Sequence, residues 1–366
     1  MTKLLIVDDS ALMRRLLTDI FEREEGFDIE VARDGEAAIE ALHRFKPDVI
    51  TLDVQMPGVN GLDCLDRIML ERPTPVVMLS SITEQGAQAT LEAIELGAVD
   101  FFPKPRGAIS LEIDGIADDL IATVRAAAAA RISKVARLAE RLRGKRDGAV
   151  MRPKPAIPKR PRASRHGPAP TQGEEPPGLV LVGSSTGGPP ALDALLSELP
   201  SGLPWPVLIA QHMPASFTGA LAKRLDGVCS LDVREVDTPI LLAAGNVYVG
   251  KGERDLIVAR RSGKLVAMSA PSHPDYHWHP SVSRLVDSAM GHLPAARLIG
   301  VMLTGMGADG ASEMAAMRAA GGRVIAQDEE SSVVWGMPGA LAKLNGADYV
   351  EPLNRISIRL TALLTG

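Results

Sequence analysis

The chain has 366 residues, is 46% hydrophobic and carries a formal net charge of −5 at pH 7. It is long enough for two ordinary domains and a connector, and no overall basic field argues for a nucleic-acid partner. Its two cysteines, Cys64 and Cys229, make no metal or disulfide pattern and suit a reducing compartment. The N-terminus, MTKLLIVDDS, reaches acidic residues after a run too short for a signal peptide, and no apolar stretch is long enough to cross a membrane. The expectation is a cytoplasmic protein with no membrane insertion.

Between residues 3 and 121, short apolar segments at Lys3–Val7, Ile29–Ala32, Val49–Leu52, Val76–Leu79 and Phe101–Phe102 alternate with helical patterns. A helix follows Ser10, a plausible N-cap, and others span Gly35–Arg44, Leu62–Leu70 and Gln85–Leu96. This alternation predicts an α/β domain with a doubly wound, five-stranded parallel sheet. In such sheets ligands bind at the C-terminal strand ends. Those ends carry Asp8 and Asp9, then Asp53, then Ser80 and Ser81, then Lys104 between two prolines.

Carboxylates gathered at one edge repel one another unless a cation joins them. An all-oxygen set suits Mg²⁺, which can share a phosphate. With Lys104 as a point charge and a serine hydroxyl as donor, the chemistry suggested is a phosphoryl group on Asp53, which ends the central strand. The plainer reading is an acidic surface cluster with an ion-paired lysine.

The stretches IVDDS (Ile6–Ser10), LDVQMPGVNGLD (Leu52–Asp63), VVMLSS (Val76–Ser81) and DFFPKP (Asp100–Pro105) resemble the receiver domain of response regulators. The resemblance implies phosphorylation of Asp53 by a sensor histidine kinase. It implies Mg²⁺ held by Asp9, Asp53 and the backbone carbonyl of Gln55, with Asp8 beside them. Ser80 falls at the switch hydroxyl and Phe101 at the switch aromatic, where many such domains carry Tyr. Lys104 completes the switch set.

Residues 122–173 read as a connector. Helical periodicity from Ile121 to Leu142 predicts an extended last helix, and from Gly144 the chain becomes rich in Pro, Lys and Arg. Basic residues outnumber acidic ones by about a dozen over 122–173. This predicts a solvated, semi-rigid spacer, with an electrostatic tether to an acidic partner or anionic lipid as the alternative. His166 lies here without an evident role.

The remainder, 174–366, opens on Leu179–Val182, a run suited to a strand buried on both faces. It breaks into Gly183-Ser184-Ser185-Thr186-Gly187-Gly188, with Pro189 or Pro190 at a first helical position and leucines at helical spacing beyond. Ser185 sits in a G-x-S-x-G turn that can present a hydroxyl above a sheet edge. The same turn could cradle a phosphate, although the Lys-Ser/Thr of a P-loop is absent, or be a plain strand-to-helix connection.

Two further strand ends matter. Pro206–Ala210 leads to His212 before a helix opened by Pro214, and Arg297–Leu303 leads to Asp309 before a helix over Ala311–Ala320. The expectation is an α/β domain with a largely parallel sheet; with these strands parallel, Ser185, His212 and Asp309 share an edge, as a nucleophile, a base and an orienting carboxylate require. Read singly, His212 could be hydrogen-bonded structure and Asp309 a helix N-cap.

A rival triad would draw its acid from Asp237 or Asp255 and its base from His279. These lie in a weakly patterned middle region with strand candidates at Leu231–Val233, Val247–Val249 and Leu256–Val258. His273, His277 and His279 raise a zinc site, but without supporting Cys or Glu spacing.

GSSTGG (Gly183–Gly188), QHMPASFT (Gln211–Thr218), LTGMGADGA (Leu303–Ala311) and AQDEESSVVWGMPGAL (Ala326–Leu341) resemble the catalytic domain of protein-glutamate methylesterases. With the receiver in front, the whole chain resembles the chemotaxis response regulators of that activity. The resemblance implies Ser185 as nucleophile, His212 as base and Asp309 as acid, the backbone N–H of Met306 as oxyanion donor and Thr186 as the neighbouring hydroxyl. It implies methyl-accepting chemoreceptors as substrate, deamidation of receptor glutamines, and no cofactor in this domain. The relatives' H-R-P-S-V-D stretch is here Trp278-His279-Pro280-Ser281-Val282-Ser283. The competing functions are a phosphorylation-gated receptor-binding module with an inactive triad and a small-molecule serine esterase.

Overall fold

In this computed structural model the described residues are 1–58, 60–81, 83–104, 113–130 and 175–365. The basic Pro-rich stretch, His166 and the expected continuation of the last receiver helix to Leu142 lie outside them.

The first domain alternates β1 (Thr2–Val7), α1 (Ala11–Glu22), β2 (Phe27–Ala32), α2 (Gly35–Phe45), β3 (Val49–Asp53), α3 (Gly61–Glu71), β4 (Val76–Ser80), α4 (Glu84–Leu96), β5 (Asp100–Pro103) and α5 (Ile113–Ala129). The strands form one parallel sheet in the order β2-β1-β3-β4-β5. β3 and β4 are buried along their whole length, as expected of central strands covered by helices on both faces. Ser10 caps α1, its hydroxyl accepting from Met13 N–H at 3.3 Å.

The second domain carries β6 (Leu179–Ser184), α6 (Gly188–Ser197), β7 (Val207–Gln211), α7 (Ala215–Val228), β8 (Asp232–Val236), β9 (Ile240–Leu241), β10 (Asn246–Gly250), β11 (Arg254–Arg261), β12 (Lys264–Pro271), α8 (Val282–Met290), β13 (Leu298–Met302), α9 (Ala311–Ala319), β14 (Arg323–Gln327), α10 (Met337–Lys343), β15 (Tyr349–Glu351) and α11 (Leu353–Thr365). Seven strands form a parallel sheet, β15-β14-β13-β6-β7-β10-β8. The chain winds outward from β6 through β7 and later from β6's other side through β13, so the switch point lies at β6, where α/β sheets bind ligands.

The weakly patterned middle region divides between two sheets. β8 and β10 complete the parallel sheet, while β11 and β12 form an antiparallel hairpin that pairs with β9. The sequence reading found Leu256–Val258 of β11 but not β12, because Lys264–Pro271 mixes small, polar and apolar residues without a clean alternation.

The two domains share an interface. α4 packs on α6 and α7. Phe101 of β5 lies against Phe217 of α7, ring centroids 4.5 Å apart. Arg224 of α7 holds Asp193 at 3.0 Å and also reaches Glu95 of α4. Among the described residues no helix is long and apolar enough to cross a membrane.

Candidate active site

Parallel pairing of β6 with β7 matches Ser184 to Gln211, and pairing with β13 matches Gly183 to Met302. The next residue on each strand therefore leaves the sheet at one level. Ser185 N–H donates to the Thr304 carbonyl and His212 N–H to the Ser184 carbonyl, each at 3.0 Å. Gly187 at φ 74° turns the chain into α6, a left-handed conformation that glycine adopts without steric cost. The G-x-S-x-G stretch thus forms the strand–turn–helix expected of it.

Gln211 binds the two loops together. Its Oε1 accepts from Ser184 Oγ at 2.7 Å, and its Nε2 donates to the Ser185 and His212 carbonyls, both at 3.0 Å. The sequence reading did not single it out. Its only local signal is a buried amide at a strand end, where an unpaired polar group is costly.

Asp309 follows β13 and turns back toward α8. Oδ2 accepts from His212 Nε2 at 2.8 Å and Val282 N–H at 2.7 Å; Oδ1 accepts from Ser281 Oγ and Ser283 N–H, both at 3.0 Å. Burial opposes its charge, but His212 and the backbone N–H groups of Val282 and Ser283 outweigh that and hold the carboxyl down at about 2. The plain alternative of an N-cap for the following helix does not apply, since Gly310 occupies that position. An ionised Asp309 can only accept, so the hydrogen in its bond to His212 belongs to Nε2. In the neutral imidazole the lone pair then sits on Nδ1, which is buried and has no partner among the described residues.

The Thr304–Met306 segment is fixed against the nucleophile. Thr304 N–H donates to Gln327 Oε1 at 2.8 Å, and its hydroxyl donates to the Thr186 carbonyl at 2.9 Å. A Cβ on Gly305 would meet the Ser185 Cβ at 2.8 Å, so only glycine lets this backbone, and the adjoining Met306 N–H, come so close.

The structure also brings together the rival acid and base. Asp255, fully buried, accepts from Ser281 N–H and lies 2.9 Å from His279 Nδ1. Arg284 reaches its other oxygen at 2.5 Å. This pair anchors the loop ahead of α8, and its partners are Ser281 and Arg284 rather than Ser185. Asp237 instead pairs with Lys251. Glu313 accepts from Ser283 Oγ at 2.7 Å. His273 lies near Asp275, and His277 near Asp119, at 3.5 and 3.8 Å. The three histidines are not gathered as metal ligands: among the described residues the group able to hold an ion is Asp8, Asp9 and Asp53.

In the receiver those three carboxylates lie within 4.8 Å of one another, Asp8 and Asp53 buried and Asp9 exposed. Lys104 Nζ is 2.7 Å from both Asp8 and Asp53. Gln55 N–H donates to Asp53 at 3.1 Å. Burial raises the Asp53 carboxyl, against the opposing pull of Lys104 and Gln55. A crowded, hard-oxygen set with a raised carboxyl fits a small divalent cation such as Mg²⁺. Ser80 is buried beside it, its Oγ 3.3 Å from the Ser81 carbonyl.

The receiver reaches the catalytic edge. The Thr186 hydroxyl faces the Asp100 carboxylate across the interface; burial there pushes the Asp100 carboxyl up to about 6, although Thr186 and the Phe101 N–H both favour its charged form. Small residues of α5, Ala126 and Ala129, line a cleft with Ser332–Trp335, the segment that carries the Val334 carbonyl to Gly305 N–H.

A five-stranded receiver-type sheet docked on a parallel α/β sheet, with a serine, a histidine and an aspartate at the switch point, defines the class: a receiver-coupled α/β hydrolase. The comparisons agree. Residues 180–360 match the CheB methylesterase family and residues 4–112 the response regulator receiver domain. A protein-glutamate methylesterase/protein-glutamine glutaminase of Rhodopseudomonas palustris is 53% identical over 357 residues, covering 98% of this chain and 96% of its own. One of Rhodospirillum rubrum is 50% identical over 366 residues, covering 100% and 97%. The crystal structure of the Thermotoga maritima CheB methylesterase catalytic domain is 37% identical, with a TM-score of 0.49 over 51% of this chain and 98% of that one. This chain belongs to the family of receiver-linked CheB protein-glutamate methylesterases.

Proposed function

We propose that this protein hydrolyses γ-methyl esters of glutamate on methyl-accepting chemoreceptors, releasing methanol, and deamidates specific receptor glutamines, in the adaptation branch of a chemotaxis pathway in the cytoplasm. The observation that carries the chemistry is the buried, unpartnered Nδ1 of His212 on the strand beside Ser185, with its other nitrogen held by an ionised Asp309. His212 Nδ1 takes the proton of Ser185 as its Oγ attacks the ester carbonyl. The Met306 N–H, with Thr186 close to the nucleophile, receives the oxyanion. The imidazolium returns its proton to the departing methoxide, and water, activated by the same base, cleaves the acyl-enzyme. Acid–base catalysis of this kind contributes about 10²–10⁴ in rate.

A sensor histidine kinase is the phosphodonor and Asp53 the acceptor, with Asp9, Asp53 and the Gln55 carbonyl holding Mg²⁺ and Asp8 beside them. Mg²⁺ there supplies positive charge to the phosphoryl oxygens. Lys104 links that pocket to β5, whose Phe101 and Asp100 contact Phe217 and Thr186 of the catalytic domain. A phosphoryl group drawing on Lys104, with Ser80 and Phe101 as switch residues, biases that interface toward opening. The proposed domain division is receiver 3–121, connector 122–173 and catalytic domain 174–366, with the last receiver helix running across the first boundary to Ala129.

The test is methanol release from methylated receptor with and without a small phosphodonor and Mg²⁺. The wild type is expected to rise at least several-fold on phosphorylation, and Asp53→Ala to stay at the basal rate. Release indifferent to the phosphodonor overturns the receiver control. Receptor binding without release in either state establishes the binding-module reading, and turnover of free small esters without receptor the small-molecule esterase.

Asp100 makes the cover pH-dependent. Burial raises its carboxyl to about 6 from an ordinary 3.8, against the pull of Thr186, and we propose that the catalytic domain supplies that burial. The docked state therefore binds the proton more tightly. That contribution to closure is fully present below pH 3.8 and is lost as pH rises through about 6. Basal activity, normalised to the phosphorylated enzyme at each pH, is expected to climb between pH 5 and 7. Asp100→Asn should flatten this climb and lower basal release at pH 7.5. An unchanged profile in the variant removes Asp100 from the cover.

A further inference from the structure

Trp278 lies nearly parallel to the His212 imidazole, ring centroids 5.0 Å apart and planes 11° from each other. It is half-buried and stands on a well-anchored loop. The next residue, His279, is tied to buried Asp255, Pro280 is buried, and Ser281 caps α8 while donating to Asp309. The His277 ring centroid lies 4.8 Å from that of the indole, with the ring planes 85° apart. The backbone that carries the indole is therefore anchored independently of His212, and the indole forms one wall against it.

The imidazole has two other constraints: its Cβ attachment at the end of β7 and the Nε2 bond to Asp309. Both lie near one line through the ring, so they leave its tilt about that line loosely determined. A flat neighbour removes that freedom. The indole face also attracts cations, and His212 becomes an imidazolium when it takes the proton of Ser185. Such an attraction is stronger in the transition state than in the ground state, so it acts on kcat and not on substrate binding.

We propose that Trp278 is a positioning residue for His212, its indole setting the tilt of the imidazole and stabilising the imidazolium formed when Ser185 loses its proton. This rests on the assignment of His212 as the base.

The experiment measures kcat and KM for methanol release from methylated receptor with the full-length, phosphorylated protein. Trp278→Ala is expected to lower kcat about 10-fold with KM within about 2-fold, and Trp278→Phe to recover most of the loss by restoring a flat ring. Trp278→Leu, which keeps apolar bulk, should be as slow as the alanine variant and guards against a folding defect. In a His212→Ala background, Trp278→Ala should cost nothing further.

An unchanged kcat in both Trp278→Ala and Trp278→Leu overturns the proposal. So does a raised KM at constant kcat, which would mark a substrate contact, or a phenylalanine variant as slow as alanine. If His212→Ala itself keeps kcat, the base assignment has failed; if it is inactive while Trp278→Ala is not, only the positioning role has.

Discussion

Ser185→Ala is expected to lower methanol release by roughly 10⁵–10⁶-fold, the scale seen when a serine nucleophile acting with its base is removed. The reason is geometric. Ser185 is the first residue beyond β6, at the switch point of the sheet, with its backbone pinned by Thr304 and Gln211. No neighbouring hydroxyl can substitute: Ser184 is fully buried and bonded to Gln211, and Thr186 faces Asp100 of the receiver. The substitution removes one oxygen from a partly exposed side chain, so the melting temperature should stay within a degree or two. Glutamine deamidation should disappear with esterase activity, because both pass through the same acyl-enzyme. Release within tenfold of wild type would sink the nucleophile assignment.

Asp309→Asn is expected to lower kcat by about 10³–10⁴-fold, as loss of the correct histidine tautomer does in other triads. The amide carries one oxygen where the carboxylate offered two. At least one of the four donors now bonded to Asp309 must then face an NH₂ group. If that donor is His212 Nε2, the proton shifts to Nδ1 and the lone pair turns away from Ser185. If it is Val282 or Ser283 N–H, the start of α8 loses a partner at a cost of about 1–3 kcal/mol.

The pH dependence follows from the carboxyl being held at about 2. A depressed carboxyl contributes stability that is complete above its ordinary value of 3.8 and is lost as pH falls through about 2. The stability gap between wild type and Asp309→Asn should therefore narrow as pH falls below 3.8 toward about 2. Chemical denaturation of both proteins between pH 5 and 2 checks it; a gap that does not narrow there would show that another group sets the network.

Both experiments test residues legible in the chain itself. The strands ending in Asp8, Asp53, Ser185 and His212, and the one leading to Asp309, are short apolar runs followed by a turn and a helical pattern. A parallel sheet has to gather their ends on one edge. The sequence named Asp255 and His279 as a rival acid and base, but that they meet, and what Gln211 holds, was not legible. Asp255 and His279 are 24 positions apart in a region without periodicity, and meet because the β11–β12 hairpin folds the chain back toward α8. Gln211 reads as an ordinary strand-end amide until β6 lies beside it.

The sequence by itself determined the two parallel sheets, the acidic pocket of the receiver and the three strand-end residues of the hydrolase, because burial on both faces and local turn chemistry are written in consecutive residues. Only the tertiary structure decided that Asp309 accepts from the first N–H groups of α8 as well as holding His212, that Trp278 lies on the imidazole, and that Asp100 and Phe101 of the receiver meet Thr186 and Phe217. These contacts join segments brought together by packing, and the distance and angle between two side chains are properties of that packing, to which periodicity along the chain is blind.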